Sequence, residues 1–203
     1  IYEWSTNGSM VAYSRADSIG LVDTKEGTLV PLIEFAAYDT GSDWAWVPEI
    51  KWSSDDRTIF TTRIPDTDAG PTQIPALSAI LLDSNKIINL VSNCGLFCYP
   101  IPSPALPDGR YEIAYLSAIL PDQSQTSRYN LMLMDRDASN QVQYYPDEGI
   151  QGLSPQILVW SPNWASDHLL AAMAQGNLII LETTTGSVKQ VTGDGSISKI
   201  DWK

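Results

Sequence analysis

Residues 34–48 set four aromatic rings beside two carboxylates: Phe35, Tyr38, Trp44 and Trp46 with Asp39 and Asp43. Exposed rings offer flat apolar area and an electron-rich face that attracts cations, and adjacent acids add hydrogen-bond acceptors. That combination suits a sugar ring, a peptide or the basic surface of a partner protein. The same rings would serve equally to cover a neighbouring element of the fold. A second segment, 92–100, gathers Leu96, Phe97 and Tyr99 around Cys94 and Cys98. Cysteines this close in a glycine-containing loop either close a small disulfide or stay as two thiols. A third segment, 64–77, contains Asp66-Thr67-Asp68-Ala69-Gly70. Two carboxylates at alternate positions with a glycine are the kind of oxygen donors calcium takes, although the bidentate Glu that ends an EF-hand loop is missing. No other cofactor is expected.

Catalytic patterns are scarce. The chain has one histidine, His168, in a slot that elsewhere holds a turn residue, and it is expected to be structural. A general base needs a nucleophile within hydrogen-bond reach, and no Gly-x-Ser-x-Gly elbow supplies one. No glycine-rich phosphate cradle occurs, and Gly193-Asp194-Gly195 is a turn. A single histidine with two cysteines rules out a four-ligand zinc set of the usual kind. Asp39 and Asp43 would act as an acid–base pair only at a separation that residue order does not give. The expectation is a non-catalytic protein.

A net charge of -12 and a pI near 4.3 oppose binding to nucleic acid or to anionic membranes, both of which select basic surfaces. The charge favours solubility and biases recognition toward cations and basic partners. Hydrophobic residues make up 43% and charged residues 18%, a balance that fits a chain with a packed core rather than a disordered one. No window reaches the ~18 apolar residues of a membrane-spanning helix, so membrane insertion is not expected. The chain opens mid-pattern at Ile1-Tyr2-Glu3-Trp4 and reads as an excised or mature segment. A disulfide would point to a periplasmic or extracellular setting.

What positions these segments is a repeat. An aromatic or proline, then serine, a tight turn and an apolar strand recur at Trp4-Ser5, Trp52-Ser53, Pro102-Ser103 and Trp160-Ser161, with a further start at Trp202. Successive spacings are 48, 50, 58 and 42 residues. Each unit parses into four short strands joined by Asn-Gly, Asp-Gly, Glu-Gly or Thr-Gly turns, and no helical stripe interrupts them. Four-stranded meanders at this period predict an all-β fold of β-propeller blades. The blades are expected at about 1–48, 49–99, 100–155 and 156–197, with a further blade strand starting in 198–203. The tryptophans are expected to pack between neighbouring blades, and Met132 and Met134 to fill core.

Three third-strand phrases, Ile19-Gly20-Leu21-Val22-Asp23, Asn130-Leu131-Met132-Leu133-Met134-Asp135 and Asn177-Leu178-Ile179-Ile180-Leu181-Glu182, together with Trp160-Ser161-Pro162-Asn163, resemble the repeats of TolB-like propellers, relatives of WD-repeat blades. The resemblance covers essentially the whole chain and implies a fold; none of the matched motifs is catalytic. Unit three departs most, with Pro102 in place of the tryptophan. Such propellers commonly have six or more blades, so either further blades or a dimer through an exposed blade edge is expected.

In a meander, successive turns alternate between the two ends of a blade. Sorted that way, short turns gather on one rim and the long connections 34–48, 64–77, 92–100, 119–129 and 146–155 on the other. Long loops on a rigid scaffold are where recognition concentrates. The expected function is therefore a binding or scaffold propeller that engages a protein or peptide through the long-loop rim. The alternatives are an accessory propeller of a larger hydrolase of the prolyl-peptidase kind, and a carbohydrate-binding or carbohydrate-active propeller.

Overall fold

The computed structural model describes residues 1–38, 40–65 and 74–203. It contains sixteen strands in four antiparallel sheets of four. Blade one is β1 (Tyr2–Trp4), β2 (Val11–Ser14), β3 (Ser18–Asp23) and β4 (Thr28–Glu34), paired in that order. Blade two is β5 (Ile50–Trp52), β6 (Thr58–Arg63), β7 (Ala76–Leu81) and β8 (Lys86–Val91). Blade three is β9 (Ile101–Pro102), β10 (Glu112–Ala118), β11 (Tyr129–Asp135) and β12 (Val142–Tyr145). Blade four is β13 (Val159–Trp160), β14 (Leu169–Ala174), β15 (Asn177–Glu182) and β16 (Ser187–Gln190), with a four-residue helix α1 (Trp164–Asp167) between β13 and β14. The expected propeller of four-stranded blades is the observed architecture. Residues 198–203 pair with no strand.

Burial explains the strand composition. The second strand of each blade is covered on both faces, so β6 and β2 are buried along their whole length. A strand covered on both sides reads as a continuous apolar or small run rather than an alternation. Ile113-Ala114-Tyr115-Leu116 and Leu170-Ala171-Ala172 are such runs. The outermost strands β8 and β16 face solvent and carry Lys86, Asn89, Lys189 and Gln190.

Three hydrophobic clusters lie between blades rather than within them. Ala12, Ile19, Ile50, Trp52, Ile59 and Ile80 join blades one and two. Phe60, Leu77 and Ala79 meet Tyr111, Ile113, Tyr115 and Met134 between blades two and three. Leu116, Leu131 and Leu133 meet Trp160, Leu170 and Leu181 between blades three and four. Stacking blades is thus what removes their faces from water.

The repeated Trp-Ser phrase has a mechanical explanation. Trp52 donates its indole N–H to the Glu3 carbonyl at 3.0 Å, and Trp160 donates to the Ile101 carbonyl at 2.9 Å. Both acceptors sit on the first strand of the blade before, so the ring fills the interface while its polar edge finds a partner. The serine that follows closes the turn behind it. Ser5 Oγ accepts from Met10 N–H at 2.9 Å, Ser53 Oγ from Thr58 N–H at 3.0 Å, and Ser103 Oγ from Glu112 N–H at 3.1 Å. Pro102 has no N–H to give, and that interface is latched instead by the Ser54 hydroxyl donating to the Ser103 carbonyl. Between blades one and two the buried Asp56 carboxylate accepts from Thr6 N–H and Thr6 Oγ1, each at 2.6 Å, and from Asn7 N–H at 3.0 Å. These contacts join equivalent turns, so the blades share one orientation and the short turns share one rim.

Trp4 departs from the expected packing. It occupies the same position as Trp52 and Trp160 yet is 64% exposed, because among the described residues no other blade packs on that face of blade one. The Cys94–Cys98 pair forms a disulfide with a Cα–Cα distance of 5.7 Å. Both half-cystines are buried, and their carbonyls accept from Ala118 and Leu116 N–H, fixing the 92–100 loop against blade three.

Substituting the three tryptophans separates their roles. Trp52→Ala and Trp160→Ala are each expected to cost about 3–5 kcal/mol, whereas Trp4→Ala stays within about 0.5 kcal/mol. Urea unfolding of the three variants reads the difference directly.

Candidate functional site

The long-loop rim is built from connections whose aromatic residues divide between packing and exposure. Trp46 is only 4% exposed and meets Tyr38 edge-on with ring centroids 6.0 Å apart. Phe35 packs against the core between blades one and two. Trp44 is 45% exposed, next to the exposed Asp43. Phe97 and Tyr99 pack together at 5.8 Å and lean on the core between blades three and four. Burial, with Glu49 nearby, pushes the Tyr99 phenol up to about 12. Phe97 N–H reaches the hydroxyl of Tyr129, which in turn donates to the Ser124 carbonyl at 2.7 Å. The buried Tyr129 thus ties the 92–100 loop to the 119–128 loop. Asp39, Asp66 and Asp68 lie outside the described residues. Among the described residues no group of three or more carboxylate, imidazole or thiol side chains converges to hold a metal ion.

Exposure on the connections is one-sided. Trp44, Ile119, Leu120, Ile150, Ile157 and Val191 are large apolar side chains on the long-loop rim, each exposed. Among the described residues the short turns of the opposite rim expose none of this kind.

Two concave regions lie away from the long loops. A cavity of about 650 Å³ runs along the inner strands, lined by Lys51, Trp52, Ile101, Pro102, Val159 and Trp160. A second cleft, of about 350 Å³, opens on the short-turn rim between blades three and four. It collects Glu112, Asp135, Arg136, Trp164 and His168. Residue order places His168 away from the long loops, and that holds. Its company is the new information. Helix α1 ends at His168, which adopts a left-handed backbone with φ 52° and donates its N–H to the Trp164 carbonyl at 2.9 Å. The turn brings the imidazole edge-on to Trp164 at 5.3 Å, and Trp164 edge-on to Trp160 at 5.5 Å. Glu112 enters from the first residue of β10. Burial pushes its carboxyl up and Asp135 adds to that, against a hydrogen bond from Thr183 and the nearby His168. Neither Glu112 nor Trp164 stands out in the sequence. The available signals are a lone acid opening an apolar strand and a second tryptophan inside Trp160-Ser161-Pro162-Asn163-Trp164.

No family model matches the chain, and no curated protein does. Its similarity is to solved structures. TolB from Acinetobacter baumannii superposes with a TM-score of 0.57 at 16% identity, over 93% of this chain and 42% of that one. The fold is a TolB-like β-propeller. An oligogalacturonate lyase in complex with manganese matches with a TM-score of 0.57 at 15% identity, over 94% of this chain and 52% of its own. Kuenenia stuttgartiensis hydrazine synthase matches with a TM-score of 0.50 at 16% identity, over 89% and 51%. This TolB-like chain therefore spans about half the length of the structures it matches. Identities this low speak to the fold alone.

Glu112 gives the site a pH signature. Its carboxyl titrates above the ordinary Glu range because it is buried. An acid with a raised folded-state pKa contributes fully below its unfolded value, and that contribution is lost as pH rises through the folded value. Glu112→Gln removes the dependence. The stability of the variant relative to wild type should therefore rise from about pH 4, the unperturbed Glu range, toward neutrality. Melting temperatures of both proteins across that range test it, and parallel curves would refute it.

Proposed function

We propose that this chain is a partner-binding propeller module that engages a protein or peptide through its long-loop rim. The observation that carries the reading is the one-sided exposure of Trp44, Ile119, Leu120, Ile150, Ile157 and Val191 on that rim. Exposed apolar groups cost free energy in water, and their concentration on one end of a rigid scaffold is the usual mark of a surface that is covered in use. The opposite rim spends its polar groups on joining blades, through Asp56 and Ser54. A net charge of -12 favours a partner with basic flanks around an apolar centre. The buried Cys94–Cys98 disulfide supports a periplasmic or extracellular setting. In this reading the propeller recognises rather than transforms its ligand.

Selection from a displayed peptide library, followed by titration of the selected peptides, tests the proposal. Trp44→Ser and Leu120→Ser should each weaken binding by about 10-fold or more. Glu26→Ala, in a short turn of the other rim, should leave it unchanged. Binding that ignores both rim substitutions would sink the proposal. Glycan binding abolished by Trp44→Ser would favour the carbohydrate alternative instead.

A further inference from the structure

The cleft between blades three and four differs from the other contacts of the short-turn rim. Elsewhere the buried polar groups are paired across the blades, as at Asp56. Here two are left over. Glu112 Oε2 and Trp164 Nε1 are buried with no hydrogen-bond partner, and Trp164 is 1% exposed. One is an acceptor and the other a donor, and native structures seldom leave such groups orphaned without a reason.

Most other groups lining the cleft are already engaged. Arg110 pairs with Asp108 at 2.7 Å. Asp135 accepts from Ser139 and Asn140, and Asp137 from Ser139. Thr184 donates to Glu182. Among the described residues Arg136 makes no ion pair within 4.0 Å, and the His168 imidazole makes no hydrogen bond. The uncommitted donors are therefore the Arg136 guanidinium, the Trp164 indole N–H and the His168 ring, and the uncommitted acceptor is Glu112 Oε2.

An anion alone would satisfy Arg136 and Trp164 but set a second negative charge against Glu112. A cation alone would satisfy Glu112 but meet Arg136. A ligand carrying both signs pairs both, and a cleft of about 350 Å³ lies at the small end of the range for compact ligands. We infer that this cleft binds a small zwitterion, a free α-amino acid, with its carboxylate on Arg136 and the Trp164 indole edge and its ammonium group on Glu112. His168, held over Trp164 by its left-handed turn, forms one wall. The site stands apart from the long-loop rim, so the two readings succeed or fail separately.

Calorimetric titration of the folded chain with each standard L-amino acid tests the inference, with the N-acetyl and carboxamide derivatives of any binder as controls. At least one amino acid should bind, and blocking either end should weaken it by about 10-fold or more. Arg136→Ala, a substitution at an exposed position, should produce a loss of the same size, as should Glu112→Gln, with circular dichroism confirming that each variant is folded. Glu26→Ala, at an exposed turn of blade one away from the cleft, should change nothing. The inference is overturned if no amino acid binds at about 10 mM, a concentration above the weakest useful affinities. It is equally overturned if the N-acetyl form or the Arg136→Ala variant retains full affinity.

Discussion

Everything in this molecule depends on blades stacking face to face. A single four-stranded sheet cannot bury both faces by itself, and the three apolar clusters all lie at junctions between sheets. Burial alone is non-directional and would let one sheet slide over the next. The indole N–H bonds from Trp52 to Glu3 and from Trp160 to Ile101 supply direction, because each joins a given side chain to a given carbonyl on the neighbour. Asp56, with three donors from the preceding turn, does the same at the rim. Register between blades is thus held by a few polar contacts inside an interface whose energy is mostly apolar.

That division of labour explains why the two rims differ. Turns that must reach across to a neighbouring blade are short and polar, since hydrogen bonds need fixed geometry. Connections at the other end have no such duty and vary in length. Some of their rings are drawn inward to cover blade edges, as with Trp46 and Phe97, while others remain outside, as with Trp44 and Leu120. The blade three–four cleft is the exception on the polar rim. Helix α1 widens the β13–β14 turn there, and the extra residues bring in Trp164 and His168 without supplying partners for the indole N–H or for Glu112.

Much of the fold is readable from residue order. The Trp-Ser phrase marks each blade because one residue spans the interface and the next closes the turn, so both are needed at fixed spacing. Strand Val142–Tyr145 is legible to the residue, and Leu169–Ala174 and Thr58–Arg63 are too. First strands are less so, and in blade four only Val159–Trp160 meet β14. The site is harder to read. Trp44 and Trp46 are the same residue two positions apart, so strand alternation would put both rings on one side, but the segment is a loop and only Trp46 turns inward. Trp4 and Trp52 share a motif but not an environment, since exposure depends on what stands beside the blade. Glu112, Trp164 and His168 are scattered over 57 positions and meet only through blade stacking.

The solvent-facing indole of Trp4 has an optical consequence. Trp52, Trp160 and Trp164 sit in dry surroundings and emit at short wavelength whatever happens outside, whereas Trp4 reports on the water around blade one. Any sheet, peptide or second molecule that covers that flank would shift its emission to the blue. Trp4 thus serves as an intrinsic dye on an open flank of blade one.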